Sequence, residues 1–135
     1  MTSRLHFHPI QGKTLDIIDA ILHTREVAAV GQAMGVVHLT VEELVVNIVD
    51  YASTDYLDVE VTLEEALLTL RFRDGGMPFN PLEQEPPDTT LPMAQRKMGG
   101  YGILLVTKYA EAIAYERTDG ENVLTVTLNT NKQPD

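Results

Sequence analysis

A chain of 135 residues with 44% hydrophobic and 22% charged side chains is long enough for one domain with one core and too short for two. The formal net charge of −10 argues against a basic stripe that would meet nucleic-acid phosphates, and the lack of cysteine excludes disulfides and thiolate metal sites. No window holds the ~18 consecutive apolar residues of a membrane span, and the opening MTSRLHFHPIQGK lacks the apolar run of a secretory signal, so a cytoplasmic protein without membrane or nucleic-acid partners is expected.

The segment RLHFHPI alternates Leu5, Phe7 and Pro9 against His6 and His8, which predicts a short edge strand ending at Pro9. TLDIIDAILHTREVAAV has the helical period at Leu15, Ile18, Ile21, Leu22 and Val30, with Thr14 as N-cap and Gly31 and Gly35 as breaks. A second helix is predicted over about Val41–Tyr51. Thr40 would cap it, Glu43 would complete a capping box, and Leu44, Ile48 and Tyr51 would face the core.

Leu57, Val59, Val61 and Leu63 alternate with polar residues, as do Leu68, Leu70 and Phe72 after a Glu64–Glu65 turn. Two antiparallel strands follow from that period. A proline-rich, aperiodic stretch then runs to Gly100, of the kind that serves as a lid or binding loop. YGILLVTKYAEA reads as a helix, and AIAYERT with NVLTVTLNT as a closing hairpin around Asp119–Gly120. The tail NKQPD is expected to fray. This order implies an α+β two-layer sandwich: a mixed, mostly antiparallel sheet covered on one face by about three helices.

Three polar patches stand at the edges of this scaffold. Glu43 and Asn47, four positions apart, share one face of their helix. Asp74-Gly75-Gly76 ends a strand, and Gly99-Gly100-Tyr101-Gly102 opens a helix. A carboxylate on a strand-end turn can accept from a nucleobase amine. Glycines at a helix start bring N–H groups and the helix dipole to an anion, which an acidic chain needs if it binds phosphate. An Asn oxygen suits Mg²⁺, and a nearby Glu can deprotonate a nucleophile. Each patch alone also has a plain reading: a turn, a helix start, a capping residue. The four histidines lack metal-ligand spacing, and no Gly-x-Ser-x-Gly supports a hydrolase triad.

With these residues in this order, VEELVVN resembles the N box, DGGMPF the first glycine box and GGYGILLV the second glycine box of the GHKL (histidine-kinase-like) ATPase superfamily, which includes gyrase, histidine kinases and MutL. The resemblance spans about Leu5 to Leu128. The short length and the ending YAEAIAYERTDGENVLTVTL are most similar to the anti-sigma-factor serine/threonine kinases.

The resemblance implies one histidine-kinase-like ATP-binding domain over residues 1–135, with its core at about 5–128 and an ATP lid at about 80–100. ATP and Mg²⁺ are the implied cofactors. Asn47 would ligate the metal, Glu43 would be the general base, Asp74 would accept from the adenine amine, and Gly76 would admit the base. Gly99, Gly100 and Gly102 would form the phosphate-facing end of the lid, Thr125 would approach the adenine pocket, and Arg96 or Lys97 would offer charge to the γ-phosphate. Tyr101 stands where leucine is commonest, and Asp50 where relatives often carry a basic or neutral residue. The implied partners are an anti-sigma-factor antagonist of the STAS type, a sigma factor and a second copy of the chain in a homodimer. Two other readings share these ligands: a nucleotide-sensing binding module without phosphotransfer, and a stand-alone histidine-kinase-type catalytic domain. The second fits less well, because the sequence offers no dimerisation helix carrying a phosphoacceptor histidine.

Overall fold

The computed structural model of the chain describes residues 1–83 and 100–131. Alternating side chains build one five-stranded sheet from β1 (Thr2–Phe7), β2 (Leu57–Glu64), β3 (Leu67–Asp74), β4 (Ala112–Thr118) and β5 (Glu121–Asn129). Among the described residues the strand order is β1-β2-β3-β5-β4 and every neighbouring pair is antiparallel, as the mostly antiparallel α+β reading expects. β1 is an edge strand as expected, though it ends at Phe7, before the proline.

The β4–β5 hairpin turns on Asp119 and Gly120, both at positive φ, which suits the right-handed twist of the flanking strands. The β2–β3 turn sits one residue later than predicted: Glu64 pairs with Leu67, and Glu65 takes the positive φ.

One sheet face is covered by α1 (Thr14–Leu22), α2 (Arg25–Ala28), α3 (Met34–Tyr51) and α4 (Gly100–Tyr109). Leu57, Val59 and Val61 of β2, Leu68, Leu70 and Phe72 of β3, and Leu124, Val126 and Leu128 of β5 point into that interface and are buried. Each such side chain contributes about 1.5–3 kcal/mol relative to exposure. The other face carries Arg4, Asp58, Glu60, Thr69, Arg71 and Thr127, a polar surface typical of an antiparallel sheet with one solvated side.

The helical segments differ from expectation at their boundaries. The first one stops at Leu22 and restarts as α2, because Thr24 caps the new turn by accepting from Val27 N at 3.4 Å. Thr14 is the first helical residue rather than a cap, and Leu15 points outward. α3 begins at Met34, seven residues earlier than predicted. Gly35 lies in its first turn and does not break it. A helical glycine costs about 1 kcal/mol, less than burial of Val37, Val41, Leu44, Val45 and Ile48 returns. The stretch Gly31–Tyr51 has the length and mean hydropathy (21 residues, 1.3) of a membrane-spanning helix, but here half of it lies inside the protein as the central core helix. Tyr51, expected in the core, is 51% exposed, with its ring 6.0 Å from that of Phe79.

Candidate functional site

All three polar patches converge on α3. Glu43 and Asn47 sit one turn apart near its middle. Asn47 is only 4% exposed, and its Nδ2 donates to the Glu43 carbonyl at 2.7 Å. That bond turns the amide oxygen away from the helix backbone. Thr40 lies inside the helix and donates to the Val36 carbonyl at 2.8 Å, so the capping box does not form and Glu43 has no capping duty. Burial raises the Glu43 carboxyl above its ordinary value, and the charge of Glu42 adds to the rise.

The start of α4 closes on this carboxylate. A Cβ placed on Gly102 would overlap the Glu43 carboxylate, so only glycine admits the approach. Gly100 is the first residue of α4 and Tyr101 lies in its first turn. Gly99, Arg96, Lys97 and the other residues of the expected lid from 84 to 99 lie outside the described residues. The frayed tail was expected over residues 131–135, of which only Asn131 is described.

The turn after β3 meets the other end of α3. A Cβ on Gly76 would overlap the carbonyl of Ala52, the C-cap of α3, and Met77 N donates to that same oxygen at 3.0 Å. Gly75 lies against the ring of Tyr56. The Tyr56 hydroxyl donates to Glu121 at 2.7 Å, and that bond together with burial pushes its pKa up to about 12.

Asp74, at the end of β3, is 2% exposed. Its Oδ1 accepts from Gly76 N at 2.9 Å and from Asn122 Nδ2 at 3.0 Å. Burial pushes its carboxyl up, opposed by those two bonds and by Arg117. A narrow cleft opens here. Ile48, Phe72 and Leu124 line it with Phe79 and Pro81, and Asp74, Asn122 and Tyr115 supply its polar atoms. Ile48 places this cleft against α3, one residue along the chain from Asn47.

One assignment changes. Thr125 pairs with Arg71 and Ala114 across the sheet, one step out of phase with the inward Leu124 and Val126. It therefore lies on the open face, away from Asp74, and is not in the cleft. The strand residue that does reach Asp74 is Asn122, 3% exposed and directly opposite Asp74 in the β3–β5 register. The sequence carried a signal for it: Asn122 is the one polar residue on the inward phase of Leu124, Val126 and Leu128. Asp50 is exposed, and each of the four histidines has a carboxylate neighbour.

Among the described residues no three His, Cys, Asp or Glu side chains cluster to hold a metal ion. A larger cavity of about 260 Å³ lies on the open sheet face among Arg4, His6, Asp58 and Arg71. Its walls include surface ion pairs, Arg4–Glu60 at 3.1 Å and His6–Asp58, and it lies across the sheet from α3.

Comparison with known proteins identifies the family. Residues 13–128 match the histidine kinase-like ATPase domain. Over 95 residues the chain is 30% identical to serine/threonine-protein kinase BtrW of Bordetella bronchiseptica, an alignment that covers 66% of each chain. The fold is similar to that of the Acinetobacter baumannii histidine kinase AdeS, with a TM-score of 0.55 at 12% identity, covering 96% of this chain and 68% of the other. With the convergence of its three polar patches on α3 and a family match across most of its length, the chain belongs to the histidine kinase-like ATPase domain family.

Proposed function

We propose that this chain is an ATP- and Mg²⁺-dependent serine/threonine protein kinase of the anti-sigma-factor type, acting on a STAS-type antagonist in a cytoplasmic partner-switching circuit. The observation that carries this reading is the Glu43 carboxylate held against the start of α4 at Gly102, on the same helix as the buried Asn47. A general base belongs where a hydroxyl can reach it beside the phosphate-facing helix start, and burial keeps its pKa closer to working pH than an exposed glutamate. The similarity to a relative named as a serine/threonine kinase supports the same choice.

The donor set fits the nucleotide. Asp74 would supply an acceptor for the adenine amine, and Gly76 keeps the turn tight against α3. Gly99, Gly100 and Gly102 would offer backbone toward the phosphates, and Asn47 would hold Mg²⁺ through its amide oxygen. When bound, ATP with Mg²⁺ supplies the transferable phosphoryl group. The chain's own residues orient it, and Glu43 takes the proton from the attacking serine or threonine hydroxyl. Homodimerisation and capture of a sigma factor belong to the same proposal, the acidic surface suiting a basic partner.

The test is phosphotransfer from γ-labelled ATP to a STAS-type antagonist encoded nearby, with Glu43→Ala as control. Label on a serine or threonine of the antagonist, lost in the variant, is the expected result. ATP binding without label on any such antagonist defeats the kinase reading and leaves a nucleotide-sensing module.

A further inference from the structure

The polar groups at the end of β3 are shut away from solvent: Asp74 is 2% and Asn122 3% exposed. The cleft they share encloses about 10 Å³ among the described residues, roughly the room of one water. A purine ring system is several times larger, so none fits the cleft as it stands. Of its apolar walls, Ile48, Phe72 and Leu124 are core residues of α3, β3 and β5, fixed by the packing of the domain. Phe79 and Pro81 belong instead to the segment that leaves the Gly76 turn.

That segment is a unit of its own. Pro81–Glu83 forms a single 3-10 turn with Pro81 buried, and Phe79 and Leu82 pack half-buried against the core. Leu82 N donates to Asn80 Oδ1 at 3.0 Å and Glu83 N to the Asn80 carbonyl at 3.1 Å, so the turn closes on itself. Its tie to the domain is slighter. Among the described residues the one hydrogen bond from Phe79–Glu83 to the rest of the fold runs from Phe79 N to Asn122 Oδ1, at 3.1 Å. The chain just before it is anchored, because Met77 N donates to the Ala52 carbonyl at 3.0 Å and the Met77 carbonyl accepts from Asn122 Nδ2 at 2.8 Å. A self-contained turn on an anchored base can pivot at the exposed Pro78 without disturbing the sheet. Tyr51, itself 51% exposed, restrains the pivot, with its ring 6.0 Å from that of Phe79.

We propose that Phe79 and Pro81 form a gate over the base end of the nucleotide site, and that adenine enters only after Phe79–Glu83 pivots away. This rests on the adenine-nucleotide reading given above. The closed form is held by burial of Phe79, Pro81 and Leu82 and by the Tyr51 ring, and the open form exchanges those contacts for contacts with the base. Nucleotide capture is then slowed, and affinity reduced, by the fraction of chains that stand open. The gate is distinct from the lid expected at residues 84–99, since its moving parts precede residue 84.

The test is stopped-flow mixing of the full chain and Mg²⁺ with adenosine diphosphate that carries a fluorescent N-methylanthraniloyl group on its ribose. The readout is the association rate constant, taken from the slope at low nucleotide concentration, beside the dissociation rate constant from chase with unlabelled nucleotide. Phe79→Ala should speed association about tenfold, as expected when a minor open form becomes the major one. Association that rises by less than about threefold, with any change confined to dissociation, would make Phe79 a plain wall of an open site and overturn the proposal. If Phe79→Ala does not fold, Tyr51→Ala, at an exposed position, decides by the same threefold criterion. Wild type that binds no adenosine diphosphate by calorimetry defeats the nucleotide reading itself, a result distinct from binding at an ungated rate.

Discussion

Gly102→Ala separates the position of the Glu43 carboxylate from the stability of the fold. The new Cβ would fall on the end of the Glu43 side chain, which is flexible and can swing aside. Alanine gains up to about 1 kcal/mol over glycine within a helix, while forcing Glu43 from its rotamer costs about 0.5–1.5 kcal/mol. These nearly cancel, so Tm should move by less than about 5 °C. Turnover should respond differently. A general base contributes about 10²- to 10⁴-fold, and displacement by about 1 Å already costs about 10²-fold. The assay pairs a thermal melt with ATP turnover or phosphotransfer under saturating Mg²⁺-ATP. The expected variant is folded and about 10²-fold or more slower. Turnover within about threefold of wild type would refute the placement of Glu43 at the reacting group. A fall in Tm beyond about 10 °C would instead refute the assumption that the side chain, not the backbone, gives way.

Gly76→Ala should behave in the opposite sense, because its Cβ meets the Ala52 backbone carbonyl, which cannot swing aside. A loss of about 3 kcal/mol in denaturant unfolding is expected, and a loss under about 1 kcal/mol would mean the turn shifts freely. Glu42→Gln removes the like charge beside Glu43, whose carboxyl burial and Glu42 together hold above the ordinary value near 4.5. The base works deprotonated, so the acid limb of the kcat/KM profile should lie above that value in wild type and move down in the variant, with the plateau unchanged; an unmoved limb would assign it to another group. Ser3→Ala removes the hydroxyl that donates to the fully buried Glu26 at 2.7 and 3.0 Å, at a cost of about 1–3 kcal/mol at neutral pH. Burial opposes the Glu26 charge, but Ser3, its own backbone N–H and Arg25 together hold its pKa below the ordinary value. Its stabilising share is thus present above the unfolded pKa and lost as pH falls through the folded one, and acid unfolding of Ser3→Ala should begin at higher pH. Identical acid melts for the two proteins would contradict this.

Local physics made most of the scaffold readable. A period of two along Leu57–Leu63 and Leu68–Phe72 marked β2 and β3, and Asp119–Gly120 marked the hairpin, because only residues tolerant of positive φ fit that turn. Helix boundaries were read less well. Gly35 looked like a break and Thr40 like a cap, yet burial of one apolar face extended α3 through both. That energy comes from neighbours distant in sequence, so no local signal reports it.

For the site, spacing alone placed Glu43 and Asn47 on one helix face, and the strand-end and helix-start glycines marked Asp74, Gly76 and Gly102. Only the tertiary structure decided what those glycines touch: Gly76 against the C-cap of α3, and Gly102 against the Glu43 carboxylate. It also decided that Asn122, not Thr125, stands beside Asp74. The alternation of β5 sorted its residues into two faces, but which face met α3 depended on pairing with β3, and register is set by contacts across the whole sheet. The sequence determined which chemical groups were present and their local spacing, while long-range packing determined which of them met.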